Sequence, residues 1–470
     1  MTGISTQDGQ AELPSPNSTR SYWLRHPSEK LLGHRTTEKL PLTADVVVVG
    51  SGITGAFAAR ELVAGGRSVL MLEAREACWG ATGRNGGHCQ PGVWNTSPSI
   101  ARFELATFHL IRDLVAEHDI ACDWQIVGGV HAFFNQQLLD AAKARIERLK
   151  RHPDLRDKAA LVVDRRDLAD RLRVPEALGA VFQPNAAKCW PYKLVAWVLE
   201  RLLDDDGGQL AFNLQTNTPV THLQKVGASW IVHTPRGQLA ARQVLLASNG
   251  YTSFLLPRMT GLIVPVRGQI CALRPPQGAE LLPHSHVWLA SGSDHYLVDR
   301  GDKGVHGDAD LNYGPLILGG ARFAAPGGEE GVSRDDSINP RISRALRRGL
   351  HHAVKLLPGA GSDPEELEAS SEWTGIMGYS RDNQPWVGRV PCSLSGAEDG
   401  DDGLWISAGY TGHGMPRAAR CGIAVAEQMM GKEGGVEVPI EWLVTDERAE
   451  EARTMALPRT VEDGIARIPL

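Results

Sequence analysis

Cysteine is scarce in this chain and shows no pairing pattern. There are seven, at positions 78, 89, 122, 189, 271, 392 and 421, an odd number with no Cys-x-x-Cys spacing. A disulfide framework or a thiolate zinc site is therefore not expected, and a reducing, cytoplasmic setting fits best. Long apolar runs are also missing: stretches such as 46–49 and 262–266 are far short of the roughly 20 residues that span a bilayer. Residues 1–21 are polar and lack an apolar secretory core, and Ile468-Pro469-Leu470 is not a Ser-Lys-Leu-type ending. Neither charge dominates. Lys+Arg 49 against Asp+Glu 55 gives −6, with no basic run, so neither nucleic acid nor an anionic membrane is an expected partner.

Glycine, by contrast, is plentiful at 51 residues in a chain of 470, long enough for two domains or one large interleaved body. Residues 44–49 form a short, mainly apolar, β-branched run, the pattern of a strand buried on both faces. The run breaks at Gly50-Ser51-Gly52-Ile53-Thr54-Gly55. Ala56, Ala59, Leu62 and Val63 then follow at helical spacing, and Gly65-Gly66 ends the helix. Residues 68–73 make a second apolar strand closing on Glu73, which completes a βαβ unit of about 30 residues. Within it, Gly50 allows the turn, Gly52 lets backbone approach a pyrophosphate, and Gly55 lets the helix pack close to the strand. Glu73 stands eighteen residues after Gly55, where a ribose-binding acid belongs; it would repel a 2′-phosphate and so disfavours NADP.

The rest of the chain divides by pattern. Helices are expected over 100–118, 138–149, 193–203, 343–356 and 418–430, and strands over 127–134, 244–247 and 404–408. Short strands and turns alternate over 210–246, strand-like runs continue to Phe323, and 398–402 reads as an acidic surface loop. Soon after Glu73 a second small-residue run, Gly80-Ala81-Thr82-Gly83-Arg84-Asn85-Gly86-Gly87-His88, would let backbone lie along a flat ring or a phosphate, with Arg84 available for charge. Taken alone it also fits a surface loop.

That run, from Glu73-Ala74-Arg75 through Trp79 to Gly87, resembles the second FAD-contacting motif of the D-amino-acid-oxidase-like superfamily. Leu246-Ala247-Ser248-Asn249-Gly250-Tyr251 resembles the superfamily's second flavin-domain strand, and Gly409-Tyr410-Thr411-Gly412-His413-Gly414-Met415 its C-terminal flavin loop. Trp373-Thr374-Gly375-Ile376, Asp382-x-x-Pro385-x-x-Gly388 and Val264-Pro265-Val266-Arg267-Gly268-Gln269 are similar to further family segments, and Tyr22-Trp23 adds to the likeness. The matches run in order over residues 20–430 and lie nearest the amine-oxidising branch of the gamma-glutamylputrescine oxidase type. The resemblance implies an α/β fold, with a Rossmann-type FAD-binding domain interleaved with a β-sheet-rich (α+β) substrate domain. The expected division is a flexible tail over 1–20, an FAD-binding domain over 21–125, 185–260 and 373–445, a substrate domain over 126–184 and 261–372, and a C-terminal tail over 446–470.

The cofactor implied is FAD. Its expected contacts are Gly50, Gly52, Ile53, Thr54, Gly55, Glu73, Ala74, Thr82, Arg84, Asn85, Gly86, Gly87, Val220, Ser248, Asn249, Gly250, Gly409, Gly412, His413, Gly414 and Met415. Amino-acid oxidases of the superfamily usually carry an arginine just after Trp-x-Gly-Leu to clamp the substrate carboxylate. Here Met377 stands there, and a thioether pairs no carboxylate. The substrate implied is an amine or a bulkier amine-bearing molecule, losing hydride from its α-carbon to flavin N5, with O2 as acceptor giving H2O2. Arg267 or Arg322 is available as a substitute anchor, and His413 as donor or base, though each residue type more often serves structure alone. The expected site beside the flavin is His413 and Arg267, with Arg267, Gln269, Tyr296 and Met377 at the substrate and Tyr313 a further candidate for its pocket. His88 offers a covalent attachment point, but its motif resembles the non-covalent members better; Trp373 and Trp405 read as packing residues, and no metal is expected. The alternatives are a dehydrogenase passing electrons to a quinone or carrier, and a flavin-binding subunit without turnover. Oligomeric state is not legible.

Overall fold

A computed structural model describes residues 9–204, 211–290, 293–301, 314–359, 363–397 and 403–457. Strand β1 (Thr43–Val49) closes on four consecutive valines, and Val46, Val47 and Val48 are wholly buried because the strand is covered on both faces. It leads into helix α1 (Ile53–Ala64) and then strand β2 (Val69–Leu72). β1 lies parallel to β2 on one side and to Gly237–Leu246 on the other, while β2 pairs in parallel with Phe212–Gln215. The far end of the chain returns as Leu404–Ala408, parallel to Gly237–Leu246, so this eight-stranded sheet is assembled from separated segments. Helix Ala418–Met430 then packs on α1. A Cβ on Gly422 would stand 2.4 Å from the Thr54 carbonyl oxygen, which is why the two helices approach so closely.

A second eight-stranded sheet holds Gly129–Phe133, Ala160–Val162, Gly179–Gln183, Ile263–Leu273, Ser285–Ala290, Ser293–Asp299, Leu316–Gly320 and Ala369–Ser380. It is antiparallel except where Ser285–Ala290 meets Gly129–Phe133. Its longest pairing joins Ile263–Leu273 to Ala369–Ser380 almost end to end. Residues 373–380 therefore belong to this sheet and not, as their motif suggested, to the nucleotide side.

Three further expectations fail for physical reasons. Residues 9–20 are no loose tail: Ala11 and Ser15 are buried, and the Thr19 N–H donates to the Asp335 carbonyl. Polarity, which made this segment read as tail, here serves hydrogen bonds. The C-terminal stretch is also structured from 446: Asp446–Thr454 is a helix with Ala449 and Ala452 buried, and Arg448 pairs with Asp382 at 2.7 Å. The helix expected over 343–356 instead spans Pro340–Arg348, entered at Pro340 behind the Asn339 cap and ended at Gly349. Residues 1–8 and 458–470 of the expected tails, the loop 398–402 and Tyr313 lie outside the described residues.

Candidate active site

One cavity of about 430 Å³ runs from the β1–α1 turn to the second sheet, within the range of small-molecule sites. At one end it is lined by Gly50, Gly52, Ile53, Thr54, Glu73, Ala74 and Val220. The turn is built on close approach: a Cβ on Gly55 would sit 2.0 Å from the Gly50 carbonyl oxygen, so only glycine lets α1 start here. Gly52, at the N-cap of α1, has no side chain to cap it and no acid occupies the first turn, so no negative charge of the helix's own offsets its positive end at the cavity. Thr82 Oγ1 accepts from the Ile53 N–H at 3.1 Å and fastens the small-residue run to that helix. Glu73 accepts from the Ser51 hydroxyl at 2.6 Å and the Arg75 N–H at 2.9 Å, which fixes its carboxylate while leaving lone pairs to spare.

Arg84 lines the cavity, but its guanidinium is committed. It donates to the carbonyls of Thr374 (2.7 Å) and Trp79 (2.9 Å), and lies 3.4 Å from the buried Asp335. Arg75 holds the same carboxylate at 3.0 Å. Burial lowers the Arg84 pKa to about 10, with Asp335 opposing, so both cations remain charged at neutral pH. Sequence reasoning assigned Arg84 to a ligand; the structure assigns its charge to Asp335.

The other end of the cavity is lined by Asn85, Gly86, His88, Gln90, Asn95, His131, Tyr296, Met377 and the turn Gly412, His413, Gly414 and Met415. Ser248 and Asn249 also line the cavity, and Asn249 Oδ1 accepts from the Gly409 N–H at 3.0 Å, pinning the C-terminal loop to the first sheet. The Tyr410 hydroxyl ties the same loop to Thr54 of α1 at 3.1 Å. Gly55, Gly87, Gly250 and Gly409 stand behind the wall: Gly250 has the Met377 carbonyl 2.6 Å from where a Cβ would be. The Tyr296 ring covers Gly86, where a Cβ would fall 2.2 Å from it.

Sequence reasoning missed Gln90, Asn95, Glu104, His131 and Arg417. Glu104 lies on helix α2 (Pro98–His118), wholly buried on the same face as Ile100, Phe103, Phe108 and Ile111. An acid inside an apolar helical stripe was the available signal. Its carboxylate accepts from His413 Nε2 at 3.0 Å, Arg417 Nε at 2.6 Å and the Gly92 N–H. Burial alone would raise its pKa, but His413 and Arg417 hold it down to about 2. Burial, reinforced by neighbouring histidines, pushes His88 and His131 down to about 3, so both are neutral at neutral pH. The indole N–H of Trp94 donates to His131 Nδ1 at 3.1 Å, which leaves the ring hydrogen on Nε2, against the Gln90 amide. Gln90 must then accept with its oxygen and turn its NH2 toward the cavity.

Two expected site residues are elsewhere. Arg267 is paired with Glu329 and donates to the Ser337 hydroxyl at 2.8 Å, outside the cavity lining. Gln269 is buried and accepts from the Asn339 N–H at 2.8 Å, supporting the cap of Pro340–Arg348. Both point away because alternate residues of a strand face opposite sides. Arg322, the other possible anchor, donates to the Gly328 carbonyl and lies 3.8 Å from Glu330. Trp373 is buried and donates to the Arg84 carbonyl at 2.8 Å, and Trp405 packs against the core of the first sheet.

The lining suits a dinucleotide. A phosphate would meet the positive start of α1 and a ribose Glu73, and three buried polar atoms in the wall, on Gln90, Asn95 and the Tyr251 hydroxyl, have no partner among the described residues. A family model described as "DAO: FAD dependent oxidoreductase" matches residues 45–428. "Probable oxidoreductase OrdL" of Rhizobium meliloti is 26% identical over 413 residues, covering 83% of each chain. "Gamma-glutamylputrescine oxidoreductase" of Escherichia coli is 23% identical over 406 residues, covering 83% of this chain and 84% of the relative. Among solved structures, glycine oxidase from Geobacillus kaustophilus superposes with a TM-score of 0.67 at 19% identity, over 86% of this chain and 99% of that one. No helix among the described residues is long and apolar enough to cross a membrane.

Proposed function

The chain belongs to the DAO family of FAD-dependent oxidoreductases, and from that premise we propose that it oxidises the C–N bond of an amine-bearing small molecule, with O2 as electron acceptor and H2O2 as product. The observation that carries the substrate class is the missing carboxylate clamp. Met377 lines the cavity where the family usually has arginine, and no lysine among the described residues lines it. The two arginines that line it among the described residues, Arg75 and Arg84, are both spent on Asp335. A simple α-amino acid would bury its carboxylate there without a cation, a costly arrangement. The names of the relatives fit oxidation of amines or amino acids, and the clamp favours the former.

FAD, when bound, supplies the hydride acceptor and the route for two electrons to O2. The protein's residues prepare and hold the amine. With His413 Nε2 fixed on Glu104, Nδ1 is the ring atom left to take the substrate's ammonium proton and leave a free amine. Neutral His88 and His131 add no positive charge to repel a second ammonium group. The Gln90 NH2 and Asn95 amide orient polar groups of the substrate. The imine product hydrolyses or cyclises once it meets water.

The test is anaerobic mixing of the purified yellow protein with a panel of amines and amino acids, following visible flavin absorbance. Amines should bleach it, and air should restore the colour with one H2O2 per turnover. Bleaching by α-amino acids alone would overturn the reading from Met377. Bleaching that air does not reverse would make the enzyme a dehydrogenase serving a quinone or carrier, and a flavin that nothing bleaches would make it a binding subunit.

A further inference from the structure

We propose that residues 10–19 form a retaining strap over the adenosine half of FAD, so that a segment outside the family match completes the cofactor site. Glu12, Leu13 and Pro14 line the same cavity as Glu73, Ala74 and Val220. The strap is tied down on both sides of those three residues. Upstream, Gln10 Nε2 donates to the Ser253 carbonyl at 2.9 Å, and the Ala11 N–H donates to the Ser253 hydroxyl at 2.9 Å. The Glu12 N–H donates to the Ser333 hydroxyl at 3.2 Å, and Ala11 is wholly buried as a peg. Downstream, Arg75 donates to the Ser15 carbonyl at 3.3 Å, and the Thr374 N–H donates to the Thr19 hydroxyl at 2.9 Å. The stretch 12–14 therefore crosses from Ser253, beside Tyr251, to Arg75, which follows Glu73 and Ala74. That is the end where the ribose acid stands.

The chemistry suits an adenine ring. Leu13 and Pro14 offer apolar surface to a flat base, and Pro14 brings no N–H that would need a partner. The Tyr251 hydroxyl, buried without a partner, lines the same cavity and offers a hydrogen bond. Asp335 is the latch: its carboxylate holds Arg75 and Arg84 while its carbonyl accepts from the Thr19 N–H at 2.8 Å. One buried residue thus joins the strap to both arginines of the FAD motif. On this geometry, bound FAD cannot leave from its adenosine end until the strap lifts.

The inference rests on FAD occupying this cavity with its adenosine at Glu73, and FAD binding itself tests it without any substrate. The dissociation constant and release rate of FAD are measured by flavin fluorescence for the full chain, for a chain lacking residues 1–14, and for full-length Leu13→Asp. Thermal midpoints of the three apoproteins are recorded alongside. The truncation is expected to weaken FAD binding at least tenfold and Leu13→Asp several-fold, with the Leu13→Asp apoprotein melting like the parent. FAD should also slow tryptic cleavage after Arg20 in the full chain. If both variants hold FAD as the parent does, the strap is overturned. It is equally overturned if affinity falls only in step with apoprotein stability, since the segment would then serve the fold. Should the truncated chain not fold, Leu13→Asp decides. A parent that keeps FAD yet oxidises no amine would sink the proposed function and leave the strap standing.

Discussion

The two ends of the cavity are built on different principles. At the nucleotide end the work is done by backbone: an uncapped helix start, glycines where a Cβ would collide, and one acid held by neighbouring N–H and hydroxyl groups. At the flavin and substrate end it is done by side chains delivered from far apart, with His131 on a strand of the second sheet, Glu104 on α2 and His413 on the C-terminal loop. A backbone site tolerates no added atoms but asks little of residue identity elsewhere. A side-chain site tolerates shape changes at single positions but depends on which groups are charged and which are neutral.

The sharpest break in this contrast is Gly55→Ala. One methyl group placed 2.0 Å from the Gly50 carbonyl oxygen forces apart α1 and its strand. Overpacking of this kind costs about 1–3 kcal/mol even where relaxation is possible. The protein should purify with much of its flavin lost, FAD affinity falling about 5- to 150-fold, each 1.4 kcal/mol being tenfold. Next is Glu104→Gln at the opposite end. It removes a fully buried charge from between His413 and Arg417, and breaking such a pair costs about 3–5 kcal/mol. Chemical denaturation should show that loss while FAD content of the folded fraction stays near that of the parent. If Glu104→Gln strips the flavin as thoroughly as Gly55→Ala does, the two ends are not separable.

The same contrast explains what could be read from the chain. Gly50, Gly52, Gly55 and Glu73 were legible because a phosphate turn needs particular backbone freedom at fixed local spacing. The sheet class followed from the buried-strand patterns at 44–49 and 404–408. The partners of the charged residues were not legible. Nothing near Arg84 in sequence says that Asp335 will hold it, 251 positions away, and the same holds for Arg267 with Glu329. Polar composition made residues 9–20 look like tail, although Ser and Thr hydroxyls with exposed backbone also suit a strand of chain pinned to a surface groove. Glu104 announced itself only as an acid in an apolar stripe.

A smaller effect, gradual in pH, sharpens the second half of the comparison. His88 and His131 titrate near 3 when folded and near 6.5 when unfolded. The unfolded chain therefore binds more protons throughout that window, and stability is complete above pH 6.5 and falls as the pH drops below it. Each histidine contributes a slope of up to about 1.4 kcal/mol per pH unit. Urea midpoints at pH 7, 6 and 5 should decline accordingly, and His131→Gln should flatten the decline by about one proton. A midpoint unchanged between pH 7 and 5 would mean that these rings are not neutral in the fold.

The smallest effect is expected where a cation stands close in sequence to the site but outside its wall. Arg267 lies on the strand that borders the cavity, yet its guanidinium belongs to Glu329 and Ser337. Removing Arg267 alone would confuse the issue, because it strands a buried carboxylate. The double change Arg267→Met with Glu329→Gln removes both charges and keeps an acceptor for Asn339, which now donates to Glu329 at 2.7 Å. Replacing both members of a partly buried pair is often near neutral for stability. KM and kcat for an amine should move less than about twofold, a change worth under about 0.5 kcal/mol. A tenfold rise in KM would instead put Arg267 back at the substrate, and with it a carboxylate or other anion that the cavity wall, with Met377 in place of arginine, is not built to hold.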